Sequence, residues 1–172
     1  MSIFFSADLH LGHSNIIRYC KRPFATHEAM DMKILQNFQE VLRPGDLLYL
    51  LGDLAWSSYN FKGFLDQLPT REVHVVWGNH DKARRREALP FRSEAELRSI
   101  TVGGQQVVLC HYAMRSWVGK GRGAFQLYGH SHGTLPGEGR QLDVGVDTNG
   151  FYPWAWEDIK RKLGGIPFNV YD

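Results

Sequence analysis

Carboxylates, an amide and imidazoles stand in five short segments of this 172-residue chain, each at the close of an apolar run. They are Asp8-Leu9-His10, Gly52-Asp53, Gly78-Asn79-His80-Asp81, Cys110-His111 and Gly129-His130-Ser131-His132. Oxygen and imidazole donors suit intermediate divalent metals, so a site that gathered them would support metal-assisted chemistry. Along extended backbone, side chains two residues apart point the same way. Asp8 can then pair with His10, and His130 with His132, about one metal site. Gly52, Gly78 and Gly129 each directly precede a proposed ligand, where a missing Cβ admits a sharp turn or close backbone approach. Singly, these residues have ordinary uses: Gly52-Asp53 or Gly78-Asn79 alone reads as a turn, and His111 alone as a hydrogen-bonded rim residue. Five of the eight histidines fall in these segments, however, and the ordinary reading must account for all of them together.

The elements that must position these groups alternate strand and helix. Ile3-Phe4-Phe5, Leu47 to Leu51, Val73 to Trp77, Val107 to Cys110 and Phe125 to Tyr128 have the length and composition of buried strands. Ser14 caps a short helix through Cys20, ended by Arg22-Pro23-Phe24. Met30, Ile34, Leu35, Phe38, Val41 and Leu42 recur at helical spacing within Glu28 to Leu42, and Pro44-Gly45 stops that helix. A further helix is expected from about Ser57 to Leu68, so the first half reads as a βαβαβ unit. In the second half, Leu97 to Val102 and Gln105 to Cys110 form a hairpin across Gly103-Gly104. Gln141 to Val146 reads as a strand, and Trp156 to Leu163 as a last helix ended by Gly164-Gly165. Two sheets packed face to face with helices outside are the expected arrangement.

The length suits one domain, taken as residues 1–172. Hydrophobic content of 43% and aromatic content of 13% describe a globular chain, and a net charge of +2 is too small to imply nucleic-acid binding from charge alone. The first apolar run meets Asp8 too soon for a signal peptide or a membrane span. Cys20 and Cys110 give no disulfide framework and read as free thiols of a reducing, cytoplasmic setting. Cys110, beside His111, reads as core packing rather than as a nucleophile, because neighbours on a strand face opposite sides. Oligomeric state is left open.

In their order and chemistry the five segments resemble the calcineurin-like metallophosphoesterase superfamily: D-x-H at Asp8 to His10, G-D at Gly52-Asp53, G-N-H-D at Gly78 to Asp81, a lone His111, and G-H-x-H at Gly129 to His132. The resemblance implies a four-layered αββα sandwich, an α/β fold of two mixed sheets flanked by helices, with the site at the strand ends. It implies two divalent ions: Asp8, His10 and His132 on one, Asn79, His111 and His130 on the other, and Asp53 bridging them. His80 would stand outside the ligands as general acid. Two ions acidify a bound water and stabilise attacking and leaving oxygens, so the expected activity is a phosphohydrolase with a metal-bridging hydroxide as nucleophile. A chain this short has little room for a cap, which favours phosphodiesters. Phosphomonoesters are the enzymatic alternative, and a non-catalytic protein-binding platform is the alternative from another class. Mn, Fe, Zn, Co and Ni all suit the donors, with Mn favoured.

Other features are candidates for the substrate side. His13 contacts phosphate or accompanies a helix start. The loop from Arg115 to Gly123 joins cations, glycines and an aromatic ring, and its Lys120 and Arg122 are the candidate phosphate contacts. A nucleotide or nucleic acid stays among the candidate substrates, although Lys82 to Arg86 reads as a solvated helix face. Asp81 reads as the N-cap of a helix through Glu87. Asp143 and Asp147 either orient the metal-binding histidines or edge a strand in solvent.

Overall fold

The structure, a computed structural model, describes residues 1–56 and 58–169, with Arg84 described in its backbone alone. Among the described residues nine strands and four α-helices follow in the order β1 (Ile3–Ser6), α1 (Ser14–Tyr19), α2 (His27–Val41), β2 (Leu47–Leu50), α3 (Phe61–Gln67), β3 (Glu72–Val76), β4 (Ser93–Ala95), β5 (Leu97–Val102), β6 (Gln105–Cys110), β7 (Phe125–Tyr128), β8 (Gln141–Asp143), β9 (Trp154–Ala155) and α4 (Trp156–Leu163). They build two mixed sheets, ordered β4-β3-β2-β1-β9 and β5-β6-β7-β8. Strands β1 to β4 run parallel in the first sheet and β6 to β8 in the second. Only β9 on β1 and β5 on β6 are antiparallel within these ladders.

The alternation of strand side chains divides the core. Phe4, Leu48, Leu50, Val73 and Val75 face one way, onto Ile16, Met30, Ile34, Phe38, Phe61 and Phe64 of the first three helices. Phe5, Tyr49, Leu51 and Val76 face the other way, onto Val107, Leu109, Phe125 and Leu127 of the second sheet, and Trp156, Ile159 and Leu163 of α4 join them. The outer face of the second sheet is covered by the segment after β6, where Trp117 packs on Val108 and Ala124.

Helix α2 starts where Thr26 Oγ1 accepts from Ala29 N at 3.3 Å and buries Met30, Ile34 and Phe38 at four-residue intervals. Asp31, on the same buried side, accepts from Gly12 N at 2.9 Å and so ties the helix to the chain leaving β1. Helix α3 begins later than the sequence suggests, because Asn60 Oδ1 accepts from Gly63 N at 3.0 Å and caps it there. Ser57, the expected start of that helix, lies outside the described residues.

Two further expectations need correction. The helix expected from Lys82 to Glu87 is a turn and one 3-10 turn over Arg84–Arg86, because Asp81 faces inward rather than capping it. The strand expected over Gln141 to Val146 stops at Asp143, whose Oδ1 accepts from Gly145 N at 2.8 Å. A 3-10 turn, Val146–Thr148, follows. Strands β4 and β9 are additions at the two edges of the first sheet.

The two sheets touch where their parallel strands end. Ala7 bridges Gly145, and Val146 N donates to Ala7 O at 3.0 Å. Asp8 N donates to Gly52 O at 3.0 Å, and Gly129 N to His111 O at 2.9 Å. Chain segments far apart in sequence therefore converge at one rim.

Candidate metal centre

Each of the five segments leaves a strand at that rim. Two trios of donor atoms form there, Asp8 with His10 and His132, and Asp53 with His111 and His130; within each trio the donors lie within 4.8 Å of one another. Asp53 Oδ2 joins the trios, standing 3.5 Å from His10 Nε2 and 3.5 Å from His111 Nε2. Asn79 Oδ1 is 3.0 Å from His111 Nε2, so the amide completes the second group. The exposed ring of His80 stands edge-on to His10 with centroids 5.6 Å apart, and its backbone N–H donates to Asp53 Oδ1 at 2.9 Å.

His130 and His132 stand in different trios of this one cluster. The backbone that carries the donors is not extended: Asp8, His10, Asp53, His130 and His132 all have φ between 49° and 67°. Among the described residues they are five of the seven non-glycine residues with positive φ. Such a conformation costs on the order of 1–3 kcal/mol per residue and persists where surrounding structure enforces it. His130 and His132 enter different trios, whereas Asp8 and His10, with φ of the same sign, share one.

What enforces it is a set of buried polar clamps. Asp81, fully buried, accepts from Asp53 N and Leu54 N at 2.9 Å and from Gly78 N at 2.8 Å. It holds the Gly52-Asp53 and Gly78-Asn79 turns together, a task its sequence position did not reveal. Asp8 Oδ1 and Oδ2 accept from His130 N at 3.0 and 2.8 Å. A Cβ on Gly129 would lie 2.5 Å from Ala7 Cβ and 2.6 Å from Asp8 Oδ2, so only glycine lets the two sheets meet there. His111 Nδ1 bonds Leu51 O at 2.7 Å, which fixes the ring and leaves Nε2 toward Asp53 and Asn79.

Asp143 and Asp147 do support the histidine segment. Asp147 Oδ2 accepts from His132 Nδ1 at 2.8 Å, and Asp143 Oδ2 accepts from Ser131 Oγ at 2.7 Å and Gly133 N at 2.9 Å. Arg22, read in the sequence only as part of a helix stop, is buried against Asp147 and the Asp8 carbonyl.

The electrostatics are those of a cage built for cations. Burial pushes the Asp8 carboxyl up to about 7 and pulls the His10 imidazole down to about 3. Burial opposes the charge of Asp53 and His111 too, yet each offsets it for the other: the Asp53 carboxyl is held down at about 2 and the His111 imidazole up at about 9. His10 Nε2 is sealed from solvent and makes no hydrogen bond. A buried lone pair without a donor, beside carboxylates that burial disfavours, fits a divalent ion. The residues present therefore suit the metal dependence that their chemistry suggests.

His13 lies at the rim of this cluster, its ring 5.6 Å from His10 and stacked on the exposed Trp56 at 4.5 Å. Tyr112 flanks the other side, 5.0 Å from His111 and 4.8 Å from His130. Lys120 and Arg122 are not brought to the site. Their 3-10 turn lies over the outer face of the second sheet, toward the start of β6: Gln105 Nε2 donates to Gly123 O at 3.0 Å, and Lys120 stands 5.3 Å over the Trp117 ring. A cleft of about 370 Å³ lined by Ile3, Phe4, Val102, Ala155 and Lys160 also lies at the strand beginnings, away from the ligands.

Among the described residues, no helix is long and apolar enough to cross a membrane. An uncharacterized protein of Methanocaldococcus jannaschii is 32% identical over 170 residues, spanning 94% of this chain and 90% of the relative. A protein of unknown function from Aquifex aeolicus shares the fold at a TM-score of 0.77 and 24% identity, covering 94% of this chain and 99% of that one. Yfce, a phosphoesterase from E. coli, aligns at a TM-score of 0.50 and 18% identity over 84% of this chain and 78% of its own. Residues 1–142 match the calcineurin-like phosphoesterase superfamily domain, and the αβ sandwich of two mixed sheets with its rim of acidic and imidazole groups agrees with that match. The chain belongs to the calcineurin-like phosphoesterase superfamily.

Proposed function

We propose that this protein is a binuclear metal-dependent phosphodiesterase. One observation carries the reading: a single carboxylate oxygen, Asp53 Oδ2, stands 3.5 Å from an imidazole nitrogen of each trio. Two ions held side by side favour a shared anion, and a carboxylate at that position would serve both. Asp8, His10 and His132 would hold one divalent ion, and Asn79, His111 and His130 the other. When bound, such a pair acidifies water and neutralises charge gathering on the phosphoryl oxygens. The nitrogen and oxygen donors suit Mn, Fe, Zn, Co or Ni, and Mn is the first choice for reconstitution.

The chain's own groups do the rest. His80 N–H fixes Asp53 Oδ1, which leaves Oδ2 turned to the imidazoles. The His80 ring, exposed beside His10, donates a proton to the leaving oxygen, a contribution typically worth roughly 10²–10⁴-fold. Trp56, with His13 behind it, and Tyr112 offer apolar faces on opposite flanks of the cluster. A diester carries a group on each side of phosphorus, and two flanking rings match that demand better than a monoester's single substituent. The test is turnover of metal-restored protein on aryl phosphate diesters against monoesters. Higher kcat/KM on diesters is expected, and higher kcat/KM on monoesters would reverse the preference.

A further inference from the structure

We propose that Arg22 is the positioning residue for the Asp8, His10 and His132 half of the site, a role that rests on the two-ion reading above. All five guanidinium N–H groups have a place. Nε and Nη2 form a fork on Asp147, at 2.8 Å to Oδ1 and 2.7 Å to Oδ2. Nη2 also donates to Asp8 O at 2.7 Å, and Nη1 to Leu9 O at 3.1 Å and toward Met30 Sδ at 3.2 Å. Arg22 is only 4% exposed, so its N–H groups are largely shielded from water.

Four of these five bonds lead to one trio, and the fifth ties the guanidinium to Met30 of α2. The carbonyls of Asp8 and Leu9 belong to the turn in which Asp8 and His10 take φ of 57° and 50°. A fixed donor on those carbonyls keeps both residues in a conformation that free chain would leave. Through the fork, Arg22 fixes Asp147, which accepts from His132 Nδ1 at 2.8 Å. A neutral imidazole that donates its Nδ1–H to a carboxylate presents the lone pair of Nε2 to an ion. One buried cation thus sets all three donors of the first group. The second group has another scaffold, in which Asp81 holds the Asp53 turn and Leu51 O holds His111. Lysine would keep the charge of Arg22 but not the planar fork, because an ammonium is a point donor.

The two scaffolds make the inference separable from a general effect on folding. Full-length protein, stripped with chelator, is titrated calorimetrically with Mn²⁺ as wild type, Arg22→Lys, Asp147→Asn and the double variant. Wild type takes two ions. Arg22→Lys weakens one of them by about 10–100-fold, the usual effect of losing a partner behind a ligand, and leaves the other unchanged. Asp147→Asn weakens the same ion, and the double variant loses little more than either single change, because both act through one chain of bonds. Equal weakening of both ions, or of neither, overturns the role of Arg22 while leaving the two-ion reading standing. If Arg22→Lys does not fold, Asp147→Asn alone carries the same one-ion expectation. A wild type that takes fewer than two ions removes the two-ion reading, and this inference falls with it.

Discussion

The backbone N–H of His80 donates to Asp53 Oδ1 at 2.9 Å, so the residue proposed to protonate the leaving group also orients the carboxylate between the two trios. That bond comes from the main chain and survives replacement of the His80 side chain. His80→Ala should therefore keep wild-type Mn²⁺ affinity while losing about 10²–10⁴-fold in kcat on a diester with a poor leaving group. The loss should shrink on p-nitrophenyl esters, whose leaving oxygen needs no proton. Equal losses on both classes of leaving group would remove the general-acid role.

Asp81 serves Asp53, Leu54 and Gly78 through three buried N–H bonds at 2.8–2.9 Å. Asp81→Asn replaces one acceptor oxygen by an amide that meets a donor with a donor. Leaving a buried group unsatisfied costs about 1–3 kcal/mol. Urea unfolding of the stripped protein should show that loss with an unchanged m-value, and no change in midpoint would contradict the clamp.

These two aspartates mark where the sequence was legible and where it was not. Strand ends carrying Asp8, Asp53, Asn79, His111, His130 and His132 could be read because apolar runs and turn residues are local signals. Asp81 reads locally as a helix cap because the N–H groups it serves at Asp53 and Leu54 lie 28 and 27 residues away. Arg22 meets Asp147 across 125 residues, and nothing local announces such a pair. The left-handed φ of His130 and His132 is likewise invisible in a motif of letters, because an extended spacing rule assumes another backbone. Lys120 and Arg122 failed as site residues because their loop crosses the outer face of the sheet instead of staying at the strand ends.

The pH dependence of the stripped protein follows from Asp8 and His111. Burial raises Asp8 from 3.8 to about 7. His111 rises from 6.5 to about 9, where the Asp53 carboxylate outweighs the effect of burial. In both cases the folded state holds a proton that the unfolded chain has released, so stability falls as pH rises, through about 4–7 for Asp8 and about 6.5–9 for His111. His10, lowered by burial from 6.5 to about 3, works in the opposite direction below pH 6.5, so the fall is cleanest above it. Melting curves should show Tm of stripped protein declining from pH 6.5 to 9. The increment from Mn²⁺ should grow over the same range, because ions bind deprotonated ligands. A constant increment would argue against ligation by these groups.

Trp56 is 47% exposed with one face on His13. If it receives a substituent of the diester, Trp56→Ala should raise KM for bis(p-nitrophenyl) phosphate by roughly 2- to 12-fold, the equivalent of about 0.5–1.5 kcal/mol of ring contact. KM for methyl p-nitrophenyl phosphate should change less, and kcat should hold for both. A kcat loss without a KM change would place Trp56 outside substrate binding.

The most direct test of the whole account is metal content and diester turnover measured together on stripped and Mn²⁺-restored protein, for wild type and Asp53→Asn. Wild type should take two ions per chain with diester hydrolysis restored alongside them, and Asp53→Asn should lose both ion occupancy and turnover. Wild type that binds two ions yet leaves diesters intact, or Asp53→Asn that matches wild type in both measurements, would contradict it.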